Sequence, residues 1–317
     1  MDIEKASQYC DAILDEIEQA VIVDREFLET VLTGILADGH VLLEDVPGTG
    51  KTLTARSIAT TLGLDFNRIQ FTPDLLPSDV TGSHIYDENS GKFIFREGPI
   101  FSNVVLGDEI NRAPPKTQAA MLEAMEEKQV TIEGETQELD NPFFVIATQN
   151  PIEQKGTFEL PEAQRDRFMI KSKMDYPERT GELKLLRRRA DRKSRTPTVD
   201  PIIDTTTLLE MQDLVEEVTV DEVLQEYMVD LCRATREHES TELGVSPRGV
   251  QRLFEASRSR AVIDGSDFVV PEHIAAVVQP VLHHRIVLKT DSTVRGTEKE
   301  DVIEDVLESI KVPGTVE

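Results

Sequence analysis

Tryptophan is absent from this chain, tyrosine occurs four times and cysteine only twice. With so few aromatic rings, the core must be built mainly from aliphatic side chains. Cys10 and Cys232 lie far apart and in no metal-ligand spacing, which excludes a disulfide framework and a cysteine zinc cluster. They read as reduced thiols of a cytoplasmic protein. Long apolar runs are missing too: no stretch approaches the ~20 residues needed to cross a bilayer. The opening MDIEKASQYCDAILDEIEQA is acidic, lacks a basic n-region and is not expected to be a signal peptide. Positive charge is the other shortage, with 34 Lys and Arg against 60 Asp and Glu and a formal net charge of −26. A surface of that sign repels nucleic-acid phosphates and anionic lipid over most of its area. The acids are spread along the chain rather than gathered in a tail. An ordinary acidic soluble protein fits this description. The size of the excess favours adaptation to a salt-rich cytoplasm, where self-repulsion is screened.

What the chain does contain is a phosphate-cradle pattern. Residues 40–54 read HVLLEDVPGTGKTLT: an apolar strand, a glycine turn and a helix-compatible segment, in the order such a cradle needs. Glycines let backbone N–H groups converge on a phosphate, and the following helix directs its positive end there. Pro47, Gly48, Thr49, Gly50, Lys51, Thr52 and Leu53 are therefore the expected nucleotide-binding residues. Lys51 would add charge for the β- and γ-phosphates of ATP, and Thr52 a hydroxyl for Mg²⁺. The first position of the G-x-x-x-x-G-K-[ST] pattern is Asp45 instead of glycine.

The 317 residues suggest about two domains. Helical spacing covers 1–38, through Ile3, Tyr9, Ile13, Ile17 and then Phe27, Leu28, Val31, Leu32 and Ile35. Strands are expected at 40–45, 66–71, 104–106, 143–147 and 168–174, with helices from the glycine turn to about Leu62 and over 116–127. The latter carries Ala119, Ala120, Leu122 and Met125 as its apolar residues. Residues 84–86 and 92–95 flank a hairpin turn. Alternating strands and helices predict an α/β domain with a mostly parallel sheet. From Tyr176-Pro177 onward the periodicity is helical, with no strand alternation. The expected division is 1–190 for the α/β domain, 191–207 for a linker and 208–317 for a small helical lid.

Three further segments carry chemistry. The third strand delivers Asp108 and Glu109 at its carboxyl end, 57 residues after Lys51. Such a pair alone is ordinarily a solvated strand end; in a P-loop sheet it sits beside the phosphates. Asp108 would organise Mg²⁺ and Glu109 would act on the attacking water. FFVIATQN (143–150) carries the chain to a polar tip from which Asn150 could reach the γ-phosphate, or merely cap a turn before Pro151. LPEAQRDRF (160–168) offers Arg165 and Arg167, either of which could stabilise transition-state charge on the γ-phosphoryl group.

These residues together resemble the MoxR type of AAA+ ATPase, over about residues 20 to 290. The most specific strings are RIQFTPDLLPSDVTG (68–82), GPIFSNVVLGDEINRAPPKTQAAMLEAMEEKQVTI (98–132) and PFFVIATQNPIEQKGTFELPEAQRDRF (142–168). The resemblance implies a P-loop AAA+ three-layer α/β domain with an all-helical lid. Gly48, Gly50, Lys51 and Thr52 match Walker A, Asp108 and Glu109 match Walker B, and Asn150 matches sensor 1. Arg167 is similar to the arginine finger that reaches the nucleotide of the neighbouring subunit. Arg248, in Gly244-Val245-Ser246-Pro247-Arg248, resembles sensor 2, which in this clade also contacts a neighbour's γ-phosphate. The hairpin near 83–96 resembles an insert that projects toward a ring pore. The resemblance further implies a homo-oligomeric ring, usually a hexamer, remodelling of client proteins, and often a partner with a von Willebrand A domain. With the acidic composition it suggests a halophilic archaeal source.

Three positions depart from the family pattern: Asp45, Asp24 in place of a glycine near the adenine pocket (Val21–Val23), and Arg165 in place of an apolar residue. A basic run, Lys184, Arg187, Arg188, Arg189, Arg192, Lys193 and Arg195, is expected to dock on acidic faces within the subunit or ring rather than on nucleic acid. His283 and His284 have no Cys partners and do not suggest a metal site. The competing functions are a nucleotide-gated scaffold with negligible turnover, a P-loop kinase and a nucleic-acid motor. The charge argues against the motor. If the acidic surface is a salt adaptation, the melting temperature should rise steadily between low and molar KCl; a melting curve indifferent to KCl would remove that reading.

Overall fold

The computed structural model describes residues 1–314 apart from Pro47, Ser90, residues 151–156 and Arg195. Two helices open the chain, α1 (Ile3–Ala20) and α2 (Arg25–Leu36). The Asp2 carboxylate caps α1 by accepting the Lys5 N–H at 2.8 Å, a contact worth about 1 kcal/mol. Strand β1 (Val41–Asp45) follows, then α3 (Lys51–Thr61), β2 (Phe66–Gln70) and the short α4 (Pro77–Thr81). Next come the hairpin β3 (Gly82–Asp87) and β4 (Lys92–Glu97), then β5 (Val104–Asp108) and α5 (Pro115–Glu127). A second hairpin, β6 (Gln129–Ile132) and β7 (Glu135–Glu138), precedes β8 (Phe144–Gln149), α6 (Glu162–Arg165), β9 (Ile170–Met174) and α7 (Arg179–Asp191). The remainder is mostly helical: α8 (Thr205–Glu217), α9 (Glu222–Glu237), β10 (Thr241–Leu243), α10 (Pro247–Ile263), α11 (Pro271–Leu282), β11 (Val287–Leu288), α12 (Thr290–Val294) and α13 (Lys299–Ser309).

Five strands form one parallel sheet in the order β2-β5-β8-β1-β9. Its inner strands read as near-continuous apolar runs because both faces are covered. Val41, Leu43, Val104, Leu106, Phe144 and Ile146 turn to one side, where α1, α2, α3 and the C-terminal helices pack. Leu42, Val105, Val145 and Ala147 turn to the other, against α5 and the β6–β7 hairpin. The alternation is the period-2 geometry of extended chain. Gly107 permits a close approach: a Cβ there would sit 3.0 Å from the Met121 methyl of α5, which would have to shift.

The three-layer α/β domain with its helical lid is as the sequence implies, with local corrections. The β6–β7 hairpin was not expected; its turn is Glu133-Gly134, both at positive φ (52° and 90°), and its strands are four residues each. The C-terminal part is not free of strands, since β10 and β11 form a small antiparallel pair. On α5 the buried face runs through Thr117, Gln118, Met121, Leu122, Ala124 and Met125, and Ala119 is exposed. Gln118 can face inward because its amide donates to the carbonyls of Ile110 and Phe158, each at 3.1 Å. The lid helices share an apolar cluster with α1 and α2. Polar ties reinforce it, among them Ser259 Oγ donating to the Thr33 carbonyl at 2.7 Å and Ser7 Oγ to the Ile263 carbonyl at 2.8 Å.

His40, just before β1, fixes the sheet to α5. Its Nδ1 accepts the Val145 N–H at 3.0 Å, so its Nε2 donates to the Met125 carbonyl at 2.9 Å. The ring is neutral, since burial pushes its pKa down to about 4. The unfolded chain takes up this proton near pH 6.5. Stability from the neutral ring is therefore complete above that pH and is lost as pH falls towards 4. Between pH 7 and pH 5, wild type should lose about 2 kcal/mol more unfolding free energy than His40→Gln, measured by urea titration. An equal loss in the two proteins would contradict the assignment.

Candidate active site

The loop after β1 turns through Gly48 (φ 91°) and Gly50 (φ 98°). Nothing lies within 4 Å of a Cβ built on either, so the left-handed backbone, not crowding, calls for glycine. Thr49 Oγ1 donates to the Val46 carbonyl at 3.3 Å. The Gly50 carbonyl accepts the Thr54 N–H at 3.0 Å, which closes the first turn of α3. The first N–H groups of an α-helix have no carbonyl within the helix, and this end of α3 is the kind that receives an anion. Thr52 and Leu53 are half-buried in this first turn. Pro47 lies outside the described residues.

The carboxyl ends of β5 and β8 bring the acidic pair to this loop. Lys51 Nζ is 3.5 Å from Asp108 Oδ1. The same oxygen accepts the Thr148 hydroxyl at 2.7 Å, and that hydroxyl in turn accepts the Glu109 N–H at 2.9 Å. Arg68, on β2, holds the other oxygen, Oδ2, through Nε at 3.1 Å and Nη2 at 2.5 Å. Burial by itself would raise the Asp108 pKa. The Thr148 and Arg68 hydrogen bonds and the Lys51 charge outweigh it, and the net shift is downward. Asp108 is thus a buried but ionised carboxylate. Glu109 is in left-handed backbone conformation (φ 57°), a strained state for a non-glycine residue. Its Oε2 accepts the Gln70 amide at 2.8 Å and lies 3.4 Å from Arg112. Asn150 is buried just beyond the end of β8.

Beside the loop lies a cleft of about 640 Å³. Gly48, Gly50 and Leu53 form one wall; Val21, Ile22, Tyr176 and Pro177 supply apolar surface. Such a lining suits a flat heterocycle. Of the segment 21–23, Val21 and Ile22 face this cleft, while Asp24 is the N-cap of α2. Part of the basic run faces the same cleft through Arg188, Arg189 and Arg192. Arg188 docks on backbone carbonyls, not on an acidic face: Nη1 donates to Glu18 at 2.5 Å and to Val21 at 3.1 Å, at the end of α1. Those are the unpaired carbonyls at a helix's negative end, where a cation is favoured. Arg195 lies outside the described residues.

The other predicted cations are held elsewhere. Arg167 Nη2 is 2.7 Å from Glu126 Oε2, and Arg248 Nη1 is 3.3 Å from Glu126 Oε1. Arg165 leans toward Glu162 at 3.9 Å, with its Nε buried and without a hydrogen-bond partner. Arg285, buried at the end of the lid's α11 segment, grips the chain next to Arg167. It donates to Asp166 Oδ1 at 2.7 Å and to the Phe168 carbonyl at 2.8 Å. His284 is a buried neutral ring beside it, bonded to the same Phe168 carbonyl at 2.9 Å. Among the described residues no cluster of three or more His, Cys, Asp or Glu could hold a metal. A carboxylate and a hydroxyl, Asp108 and Thr52, are nonetheless the sparse kind of oxygen set that suits Mg²⁺, which completes its shell with water and phosphate.

Sequence reasoning missed Arg68, Gln70, Glu126 and Arg285. A signal existed for the first two: Arg68 and Gln70 are two apart on β2, hence on one face of the sheet, and that face abuts the end of β5. Thr148 is the joint of the cluster. Thr148→Val keeps its shape but leaves the Glu109 N–H and Asp108 Oδ1 each short of a partner. It should cost about 1–3 kcal/mol in unfolding free energy, with Thr148→Ser close to wild type; a neutral Val variant would contradict this.

The comparisons with known proteins agree with the geometry. A family model described as "ATPase family associated with various cellular activities (AAA)" matches residues 40–170, and an AAA lid domain model matches 233–306. The chain is 44% identical to the uncharacterized protein YeaC of Bacillus subtilis, over 95% of this chain and 93% of that one. It is 39% identical to Chaperone MoxR1 of Mycobacterium tuberculosis, over 94% of this chain and 81% of that one. A crystal structure of a candidate ATPase from Cytophaga hutchinsonii superposes with a TM-score of 0.91 at 40% identity, covering 97% and 96% of the two chains. On sequence, fold and the disposition of its P-loop and acidic strand end, the chain belongs to the MoxR family of AAA ATPases.

Proposed function

We propose that this protein hydrolyses ATP with Mg²⁺ in a site shared between neighbouring copies in a ring, the hexamer common in the family, and uses the cycle to remodel or activate partner proteins. The observation that carries the reading is the contact of Lys51 with Asp108, with Glu109 next in the chain, beside a loop with two left-handed glycines. Loop amides and Lys51 would hold the β- and γ-phosphates. Asp108 and Thr52 would hold Mg²⁺, which supplies charge neutralisation when bound. Val21, Ile22, Tyr176 and Pro177 would hold the base. Glu109 would orient the attacking water and take its proton, and Asn150 would reach the γ-phosphate. Arg167 and Arg248 would come from the next copy, since their contacts run to Glu126 and not to the Lys51–Asp108 pair.

With the division into 1–190, 191–207 and 208–317, hydrolysis would alter the angle between an α/β domain and its lid. The β3–β4 hairpin is the natural moving part: Tyr86, Phe93 and Ile94 are exposed along it. The name of Chaperone MoxR1 supports a chaperone-like role, and a von Willebrand A domain protein is a candidate partner. Among the described residues no helix is long and apolar enough to cross a membrane, which suits a cytoplasmic site of action. The charge of −26 supports a salt-adapted protein; a halophilic archaeal source rests on that composition alone. Glu109→Gln should keep ATP binding yet lose about 10²–10⁴-fold in turnover, and should retain clients in an ATP-containing pull-down. Undiminished turnover would remove Glu109 from the chemistry, and a wild type without turnover would make the protein a nucleotide-gated scaffold.

A further inference from the structure

We propose that Glu126 is a positioning residue for hydrolysis in the neighbouring copy: it aligns Arg167 and Arg248 as a pair for one γ-phosphate. The proposal rests on the shared-site reading above and deepens it. The two arginines come from different parts of the chain, the turn after α6 and the first turn of α10. They meet on one carboxylate, one oxygen each, at 2.7 Å and 3.3 Å. Two guanidiniums brought together without an anion repel each other and splay apart. Glu126 neutralises one of the two charges and leaves a net positive pair. Each arginine spends one nitrogen on Glu126, and a guanidinium carries three, with donors in a fixed fork. The pair can therefore keep Glu126 and still bind a phosphate.

All three side chains stand on braced supports. The residue before Glu126 is Met125, buried, with its carbonyl held by the His40 ring at 2.9 Å. The residue before Arg167 is Asp166, held by buried Arg285 at 2.7 Å. Arg248 lies in the first turn of α10, whose Ser246 cap accepts the Gly249 N–H at 3.3 Å. Bracing of this kind is what holding a charged group in place for a transition state demands. Glu126 itself is 40% exposed, so it is reachable from a neighbouring molecule and replaceable without opening the core.

The test uses Glu126→Gln, which keeps shape and removes charge. Its kcat should fall about tenfold to 100-fold with KM for ATP and the binding of a fluorescent ATP analogue unchanged. The defect should act in trans. Mixed with Lys51→Ala, which lacks its own site but offers an intact arginine pair, Glu126→Gln copies should regain turnover. Mixed with Arg167→Ala, which offers no intact pair, they should not. Wild-type kcat in Glu126→Gln, or rescue by Arg167→Ala and not by Lys51→Ala, would overturn the role of Glu126. The control is Lys51→Ala mixed with Arg167→Ala: turnover there supports the shared site whatever Glu126 does. If co-assembled copies of those two stayed inactive, the shared site itself would fail, and this proposal with it.

Discussion

The carboxylate of Asp108 is the point on which the rest of the molecule depends. It is 3% exposed, and an ionised group at that depth is tolerated only if paired and hydrogen-bonded. The partners come from three different elements: Lys51 from α3, Arg68 from β2 and Thr148 from β8. Each can arrive only if the strands are parallel and end together, so that their carboxyl ends share one rim. The sheet order β2-β5-β8-β1-β9 does this by seating β5 between β2 and β8. The apolar packing of both sheet faces supplies the stability, and the charge cluster fixes the alignment of the strand ends.

A second charge cluster is kept apart from the first. Arg167 and Arg248 gather on Glu126, and Arg285 ties the chain beside Arg167 to the lid. The ties on Arg285 are strong enough to hold a buried guanidinium: burial pulls its pKa down to about 10, with Asp166 acting against the fall, and it stays charged at neutral pH. One cluster faces the P-loop of its own copy, and the other is paired on Glu126 away from the Lys51–Asp108 contact. On the shared-site reading proposed above, the protein would work as an assembly, and the state of one copy's lid would bear on the cations offered to the next.

Much of this was legible in the residues. The strand, glycine loop and helix of 40–61 were readable because glycine, lysine and apolar periodicity are local signals. Asp108 and Glu109 were readable because a strand of known direction delivers them to a known rim. The hairpin at 82–97 was betrayed by its turn residues. The misses have a common cause: they depend on contacts between distant segments. Glu126 looks like one acid among 60 until the fold sets it between Arg167 and Arg248. Nothing in the sequence around His283 and His284 marks Arg285 as buried. The β6–β7 strands are too short to show an alternation, and the inward place of Gln118 depends on the carbonyls of Ile110 and Phe158. Arg188 was taken for a partner of acids, whereas the end of α1 offers it bare carbonyls.

The account stands on Asp108 and Lys51 forming a single phosphate-and-metal site. The most direct measurement is calorimetric titration of ATP into wild type and Asp108→Asn, each with Mg²⁺ and with EDTA. Wild type should bind ATP more tightly with Mg²⁺, and Asp108→Asn should bind it equally in both conditions. A Mg²⁺ enhancement that survives intact in Asp108→Asn would contradict the account.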